Sequence, residues 1–599
     1  MNSLNLFRGS ARSLFVFCLL TGALFARPGA AGENASSPSG EVFKELPTLH
    51  CLGMRWAIKG DANQNATIEV RYRQTGTDEW KNGFPLFRTR PNTHASNMSK
   101  IHTVAGGWMF AGSIVGLEQD TEYEVKLNLK DPDGGEAEQT VKMKTWAEPK
   151  EPPDMTVKHV VPGNGGGSGT EADPYKGLQA ADAAAQPGTL FLLRTGTYVK
   201  DQCPENTWTI TQSGAPGKPI IYRAAGDGDV LLDGGGDSKT PGRAVSANKI
   251  KQVWFEGVIF QGREYAIVAH EGSNWVIRRC RFRNMTKGFT AHNGGYDVSQ
   301  YFFIVDNVFE GPTTWPRSKG IEPYGATKIS GAGHIIAYNY FHNLGDATHG
   351  TAHGSLSASD LHNNDIFVCT DDGLETDHSD FNVRVFNNRI INVAHAITSQ
   401  PAHGGPTYVF RNFIYNATYS PFKLHNHTSG VLFFHNTCLR KGECFKIIPG
   451  RDTVNYLFSR NNLFLGSGGT ALFTSGVMRG CDLDADGYGG WSGAFAVWNG
   501  KRWVDEAAAK AAGEIYKDVG AFKIDPQTCF ADGLLPPANP DQAYKGNELN
   551  FRLSEKSDAL DKGVVLFNFS DGFKGAAPDL GALELGDDPP HFGPRPKPE

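Results

Sequence analysis

The sequence predicts an all-β protein: a right-handed parallel β-helix (a solenoid) preceded by a small β-sandwich. Three observations carry that expectation. A pattern of Asn, one residue, then a large apolar residue returns as Asn307-Val308-Phe309, Asn339-Tyr340-Phe341, Asn388-Arg389-Ile390, Asn412-Phe413-Ile414, Asn436-Thr437-Cys438 and Asn462-Leu463-Phe464. Asp365-Ile366-Phe367 fits with Asp for Asn, and Val258-Ile259-Phe260 and Cys280-Arg281-Phe282 open the series. The apolar anchors recur every 22 to 32 residues, a period typical of solenoid coils and too short for two helices per repeat. The units themselves are short β-like runs, such as Val383-Arg384-Val385-Phe386 and Val431-Leu432-Phe433-Phe434. Finally, 71 Gly and only 20% charged residues in 599 suit a turn-rich β protein. Asn side chains stacked at one turn can satisfy one another and the backbone.

Along the chain, residues 1–31 read as a secretory signal, with Arg8 and Arg12 before the apolar run Leu14–Phe25 and small residues at Gly29-Ala30-Ala31. The mature protein is expected to be secreted or periplasmic, monomeric and without an integral membrane segment. Export permits disulfides: Cys438 and Cys444 could close a short loop, or the cysteines are buried thiols. Residues 45–147 alternate like a β-sandwich, as in Ala66–Tyr72 and Tyr123–Leu127. Leu117, Thr121, Tyr123 and Val125 resemble the tyrosine corner of fibronectin type III domains, with Trp56 and Trp80 at that family's core aromatic positions. Residues 148–170 are a linker beginning Glu-Pro-Lys-Glu-Pro-Pro. The β-helix is expected over 171–585. Leu178, Ala181 and Ala185 share one face of a short helix, with Asp182 facing solvent. A helix leading into a first strand resembles the N-terminal cap of pectin-lyase-like β-helices, which covers the open end of the solenoid. A second helix is expected over Trp503–Ala512. The stretch to Leu585 resembles the closing segment of secreted β-helix proteins, and the Pro-rich tail 586–599 is expected to be disordered.

Each coil carries a second strand whose second residue is apolar and points inward. Alternation then sends the third and fifth residues outward. One outer column reads Val268, Thr290, Glu322, Glu375, Thr398, Lys423, and the other His270, His292, Tyr324, Asp377, Gln400, His425. The coil near Thr351–Ser355 has an ambiguous register. Thirteen of the 18 His lie between 270 and 435. A merely hydrated face would hold Ser, Thr, Lys and Asn; these columns suggest a substrate groove, with His270, His292, Tyr324, Asp377, Gln400 and His425 as contacts.

The sharpest local motif is Thr370-Asp371-Asp372-Gly373-Leu374-Glu375-Thr376-Asp377. Its four carboxylates repel one another, which points to a bound cation, a raised pKa or a general acid. Asp371-Asp372-Gly373-Leu374 resembles the paired-Asp motif of polygalacturonase-type glycoside hydrolases. Ala394-His395-Ala396 stands at their Gly-His-Gly and Phe422-Lys423 at their Arg-Ile-Lys. The resemblance implies Asp371 or Asp372 as acid or base, His395 in support and Lys423 as a carboxylate binder. It departs where Thr348-His349-Gly350 replaces Asn-Thr-Asp. Glu322 and Glu375, two coils apart, would be separated by roughly 9.6 Å at about 4.8 Å per coil, near the upper end of the ~6.5–9.5 Å of inverting hydrolases.

The leading expectation is therefore a polysaccharide-cleaving enzyme, a glycoside hydrolase that requires no cofactor. The first alternative is a lyase acting on a uronate polymer. There Glu322, Glu375 and Asp377 would hold Ca²⁺, with Lys423, His425 or His292 as base. A C5-epimerase would use similar groups, and a non-catalytic glycan-binding β-helix is the remaining alternative. Asp482-Leu483-Asp484-Ala485-Asp486-Gly487 matches the first half of a calcium loop, but Gly493 stands where the closing Glu is expected. A net charge of -6 and the lack of a basic cluster argue against a nucleic-acid partner.

Overall fold

A computed structural model describes residues 33–91, 103–199, 207–317, 322–350, 354–448 and 452–597. The expected signal lies outside them. Among the described residues no helix is long and apolar enough to cross a membrane. Residues 36–144 form two antiparallel sheets of six and four strands. Alternation in Thr67–Gln74 and Glu122–Lys130 turns Ile68, Val70, Tyr72, Val125, Leu127 and Leu129 into a shared core with Trp56. The Tyr123 hydroxyl accepts the Glu118 N–H at 3.0 Å and so pins the corner entering its strand. Trp80 is not a core residue. It is partly exposed, with the cations of Arg73 and Lys126 at 4.6 and 5.3 Å from its ring.

From Thr156 onward the chain winds into a parallel β-helix of three sheets with 17, 17 and 6 strands. The Asn pattern builds its spine. The Oδ1 atoms of Asn339, Asn364, Asn388, Asn412, Asn436 and Asn462 each accept both the backbone N–H and the Nδ2–H of the preceding rung, at 2.8–3.1 Å. Asp486 is the last rung and accepts the same pair from Asn462, both at 2.8 Å. The ladder corrects the register at one coil: Asn364 is the rung, and Ile366 rather than Phe367 pairs with Phe341. Inside, Phe260, Phe282, Phe309 and Phe341 stack at 5.0, 4.5 and 5.1 Å between centroids. Coil repetition thus delivers both a dry aromatic column and a satisfied polar one.

The short helix Leu178–Ala183 caps the solenoid with Leu178 and Ala181 buried, and Ala185 just beyond it buried too. Asp182 is buried rather than solvated. It accepts the backbone N–H and hydroxyl of Thr211. The second helix is confined to Glu506–Ala512, because Asp505 caps its N-terminus, and Lys501–Trp503 is a strand. The seven described cysteines are all buried and free, so Cys438 and Cys444 form no bridge.

The sandwich lies directly on the flank of the solenoid. Cys51 and Val115 pack against Phe386, Tyr408, Phe410, Leu432 and Phe434. Beside them, Arg384 pairs with Asp360, which also accepts the Thr48 hydroxyl at 2.5 Å. The tail is ordered through residue 597, contrary to the expectation of disorder. Arg595 pairs with Asp306 and Glu148, both at 2.9 Å, and Phe592 packs on Phe413. Few apolar residues suffice here, because the solenoid already offers partners for each of them.

Candidate active site

Three long strands, Asp365–Glu375, Arg389–Ser399 and Phe413–Leu424, bend around one corner of the coil. Their pairing slips between Cys369 and Asp372 and again between Val393 and His395. Such bulges re-aim side chains. Beyond the slip, Asp372 pairs with His395 and His395 with Ser420, while Glu375 pairs with Thr398 and Thr398 with Lys423. The preceding coil contributes the strand Asp346–His349. Thr348 Oγ1 accepts the Glu375 N–H at 2.9 Å, and Asp346 Oδ1 accepts the Asp372 N–H at 3.1 Å.

The result is a cluster of carboxylates with few cations. Lys423 Nζ lies 2.7 Å from Asp372 Oδ2. His349 Nδ1 lies 3.2 Å from Glu375 and 3.4 Å from Asp346. Arg317 lies 3.8 Å from Asp371. Gly350 N–H donates to Glu375 at 2.8 Å, and Gln400 N–H to Asp377 at 2.8 Å. Two triads, Asp346/His349/Glu375 and Asp371/Asp372/His395, each bring their ligand atoms within 4.8 Å of one another.

Burial, then the Asp372 charge, raises Asp371 to about 6, and the same two causes raise Asp377 to about 7. Glu375 is pushed well up by burial and by Asp377, Asp346 and Asp372. Burial also raises Asp372, partly offset by Lys423. Burial works against the Lys423 charge, but Asp372 outweighs it and the amine's pKa is raised. His395 is driven down to about 3 by burial and then Lys423, which makes it a neutral ring at physiological pH. It bonds Ser420 Oγ at 2.8 Å and stacks on Tyr419. Asp372 and Glu375 share a side-chain hydrogen bond, which favours the charged form of Asp372 and the protonated form of Glu375.

Asp371, Asp372, Glu375, Asp377, His395 and Lys423 therefore come together as the motif spacing implied. Gln400 and His425 continue the second column. The His270 and His292 rings pack against each other at a tilt of 56°, with centroids 4.4 Å apart, coils away from the carboxylates. Glu322 and Tyr324 do not belong to the columns. The strand of that coil is Gly325–Ile329, which puts Lys328 between Thr290 and His349. Gly-Ile-Glu-Pro-Tyr imitates Gly-Leu-Glu-Thr-Asp, but Pro323 has no N–H for a ladder bond. Residues 318–321 of this coil, with Gly320 and Ile321 of that run, lie outside the described residues. Glu322 accepts the Thr313 hydroxyl at 2.6 Å, so its pairing with Glu375 across the groove is lost. Of the coil left ambiguous near Thr351–Ser355, residues 351–353 lie outside the described residues, and its strand is the earlier Asp346–His349. Asp346 and His349 were missed by sequence reasoning, although stepping back one coil from Asp372 and Glu375 lands on them.

In the half calcium loop Asp482 and Asp484 both face Arg460 Nη2, at 2.7 and 3.8 Å. Asp484 accepts the backbone N–H groups of Lys517, Asp518 and Gly520. Asp486 ends the Asn ladder.

No family model matches the chain. Over 442 residues it is 24% identical to pectate lyase L of Dickeya dadantii (strain 3937) and 25% identical to pectate lyase L of Dickeya chrysanthemi, covering 72% of this chain and 90% of each relative. Among solved structures, an alginate lyase from Paenibacillus sp. str. FPU-7 aligns at 14% identity and a TM-score of 0.28, over 50% of this chain and 92% of that one. The Asn-laddered parallel coils and the similarity to the two pectate lyases support a pectin-lyase-like parallel β-helix fold.

Proposed function

We propose that this protein is a polysaccharide lyase that cleaves a uronate polymer by β-elimination. The observation that carries the reading is a single amine, Lys423 Nζ, set 2.7 Å from Asp372 within a group of buried carboxylates. The pectate lyase relatives, aligned over most of the chain, support it. The donor set fits a hard divalent cation such as Ca²⁺, which prefers oxygen ligands. Asp346, Asp371, Asp372 and Glu375 would hold it. Their mutual repulsion is what a cation would relieve. When bound, the cation supplies positive charge that neutralises the uronate carboxylate and makes the C5 proton more acidic.

The chain's own residues then do the proton chemistry. With Asp372 committed elsewhere, Lys423 loses its main counter-charge, and burial favours the neutral amine. Lys423 Nζ takes the C5 proton. The C5–H electron pair becomes the C4–C5 double bond, and the C4–O bond breaks, its oxygen leaving with a proton from water. His395, held neutral, positions the sugar beside Tyr419 without adding charge.

The hydrolase reading is weaker, because Glu322 is off the face and the remaining carboxylates, Asp371, Asp372, Glu375 and Asp377, crowd into one cluster. The test is incubation of the protein with polygalacturonate, alginate and a neutral glucan, with added Ca²⁺ or with chelator. We expect absorbance of a new C4–C5 double bond together with reducing ends, lost on chelation. Reducing ends without that absorbance would establish hydrolysis. Binding without any product would establish a glycan-binding protein.

A further inference from the structure

The carboxylate cluster is approached by lysines from both directions along the helix axis. Lys423 reaches it from the C-terminal side. On the N-terminal side, one column of the curved sheet runs Lys287, Gly325, Asp346, since Lys287 pairs with Gly325 and Gly325 with Asp346. Coils are about 4.8 Å apart, so Lys287 starts roughly two coils from Asp346. The missing side chain at Gly325 is what lets it extend: a Cβ built there would meet Lys287 Nζ at 2.7 Å and Cδ at 3.3 Å. The neighbouring column runs Thr290, Lys328, His349, with His349 on Glu375. Two lysines therefore stand on adjacent columns just N-terminal of the carboxylates, near enough for the Lys328 charge to act on Lys287.

Neither amine is tied up by an acid. Among the described residues, no carboxylate oxygen lies within 4.0 Å of either Nζ, although the charges of Asp346 and Glu375 act on Lys287. A half-buried, unpaired ammonium beside a second ammonium is unfavourable in the free protein. It becomes favourable when an anion bridges the two. Burial lowers the Lys287 pKa and Lys328 lowers it further, against the pull of Asp346.

We propose that Lys287 and Lys328 form a carboxylate-binding subsite that holds the uronate next to the one being cleaved, on the N-terminal side of the acid cluster. This subsite rests on the lyase reading for its place in the reaction, but not for its affinity. Lys287 and Lys328 are positioning residues: they touch the neighbouring sugar, not the reacting bond. A substrate with consecutive uronates would engage both the cluster and the amine pair. One with isolated uronates would engage only the cluster.

The experiment is equilibrium binding of polygalacturonate and of its methyl ester, by affinity electrophoresis, to the wild type, Lys287→Met, Lys328→Met and Gly325→Ala. Methionine keeps the aliphatic packing of lysine. Gly325→Ala leaves both lysines in place but displaces the Lys287 amine, the flexible end of its side chain. All three variants should bind polygalacturonate about tenfold more weakly, the scale of one lost charge-assisted contact. Binding of the methyl ester should be unchanged. Wild-type affinity in Lys287→Met and Gly325→Ala, or equal losses on acid and ester, would overturn the subsite, as would a wild type that binds neither polymer. A wild type that binds through Lys287 and yet releases no unsaturated product would overturn the lyase reading and leave the subsite standing.

Discussion

Replacing Asp486 by Asn separates the ladder from a calcium loop by thermodynamics alone. Asp486 is fully buried, and burial raises its carboxyl from 3.8 to about 7 despite bonds from Ser459 and Asn462. A raised folded-state pKa means that the native protein holds a proton the unfolded chain has released. The associated stability is present in full below pH 3.8, falls as pH rises, and is gone above about 7. Three pKa units correspond to about 4 kcal/mol at most. Asn is uncharged at every pH, its Oδ1 can still accept both Asn462 bonds, and its Nδ2 can face Ser459. Asp486→Asn should therefore match the wild type near pH 4 and exceed it by about 2–4 kcal/mol at pH 8. The assay is guanidinium unfolding followed by Trp fluorescence at both pH values without calcium. A variant less stable than the wild type at pH 8, or a difference independent of pH, would refute the reasoning. Loss of a calcium-dependent stabilisation would restore the loop reading.

Further outcomes follow from the same contacts. Asn412→Ala removes both acceptor contacts for Asn388 and the donors to Val385 and Asn436, all buried, and should cost about 3–5 kcal/mol in the same unfolding assay. Lys423→Met should lower kcat for unsaturated product at least about 100-fold, the lower range for loss of a proton-transfer group, while the near-ultraviolet circular dichroism stays native. Glu322→Gln should leave kcat/KM on polygalacturonate within about twofold, since its carboxylate faces Thr313 rather than the groove. A loss like that of Lys423→Met would return Glu322 to the site.

Much of the fold is legible in the sequence because a ladder repeats its cause. Every Asn rung must supply two donors and accept two, so the residue type returns at the period of the coil, and the apolar anchors return with it. The Asp371–Asp377 motif is legible for a related reason: four acids in seven residues conflict with local electrostatics and need a reason to coexist. What escaped were the places where the period breaks. Pro323 sits in a run that copies the right alternation but cannot bond as a strand, so Glu322 and Tyr324 looked like wall residues. Asp365 looked like a rung because it precedes an apolar pair, while Asn364 makes the bonds. His349 and Asp346 escaped because the bulge at Cys369–Asp372 shifts their coil's register against the next, and no alternation rule crosses a bulge.

The sandwich illustrates a different kind of limit. Its alternating strands suggested an independent module, which would ordinarily bind or space. Yet the solenoid strands beneath it carry Phe386, Phe410 and Phe434 on the outer face, one above another, and centroid distances of 4.8 Å between the first two show the stacking. An exposed aromatic ridge on a sheet invites association. The sandwich covers that ridge with Cys51, Val115 and Phe84 and adds buried polar bonds, Ser113 to Arg384 at 3.1 Å and Glu45 to Asn382 at 2.8 Å. The linker offers no slack, because Arg223 holds Glu151, Arg278 bonds the Pro149 carbonyl, and Arg595 pairs with Glu148. A module clamped at its base and glued along one face is part of the scaffold. It braces the same coils that carry Asp371, Asp372 and Lys423, where a cluster of crowded like charges needs an unyielding frame.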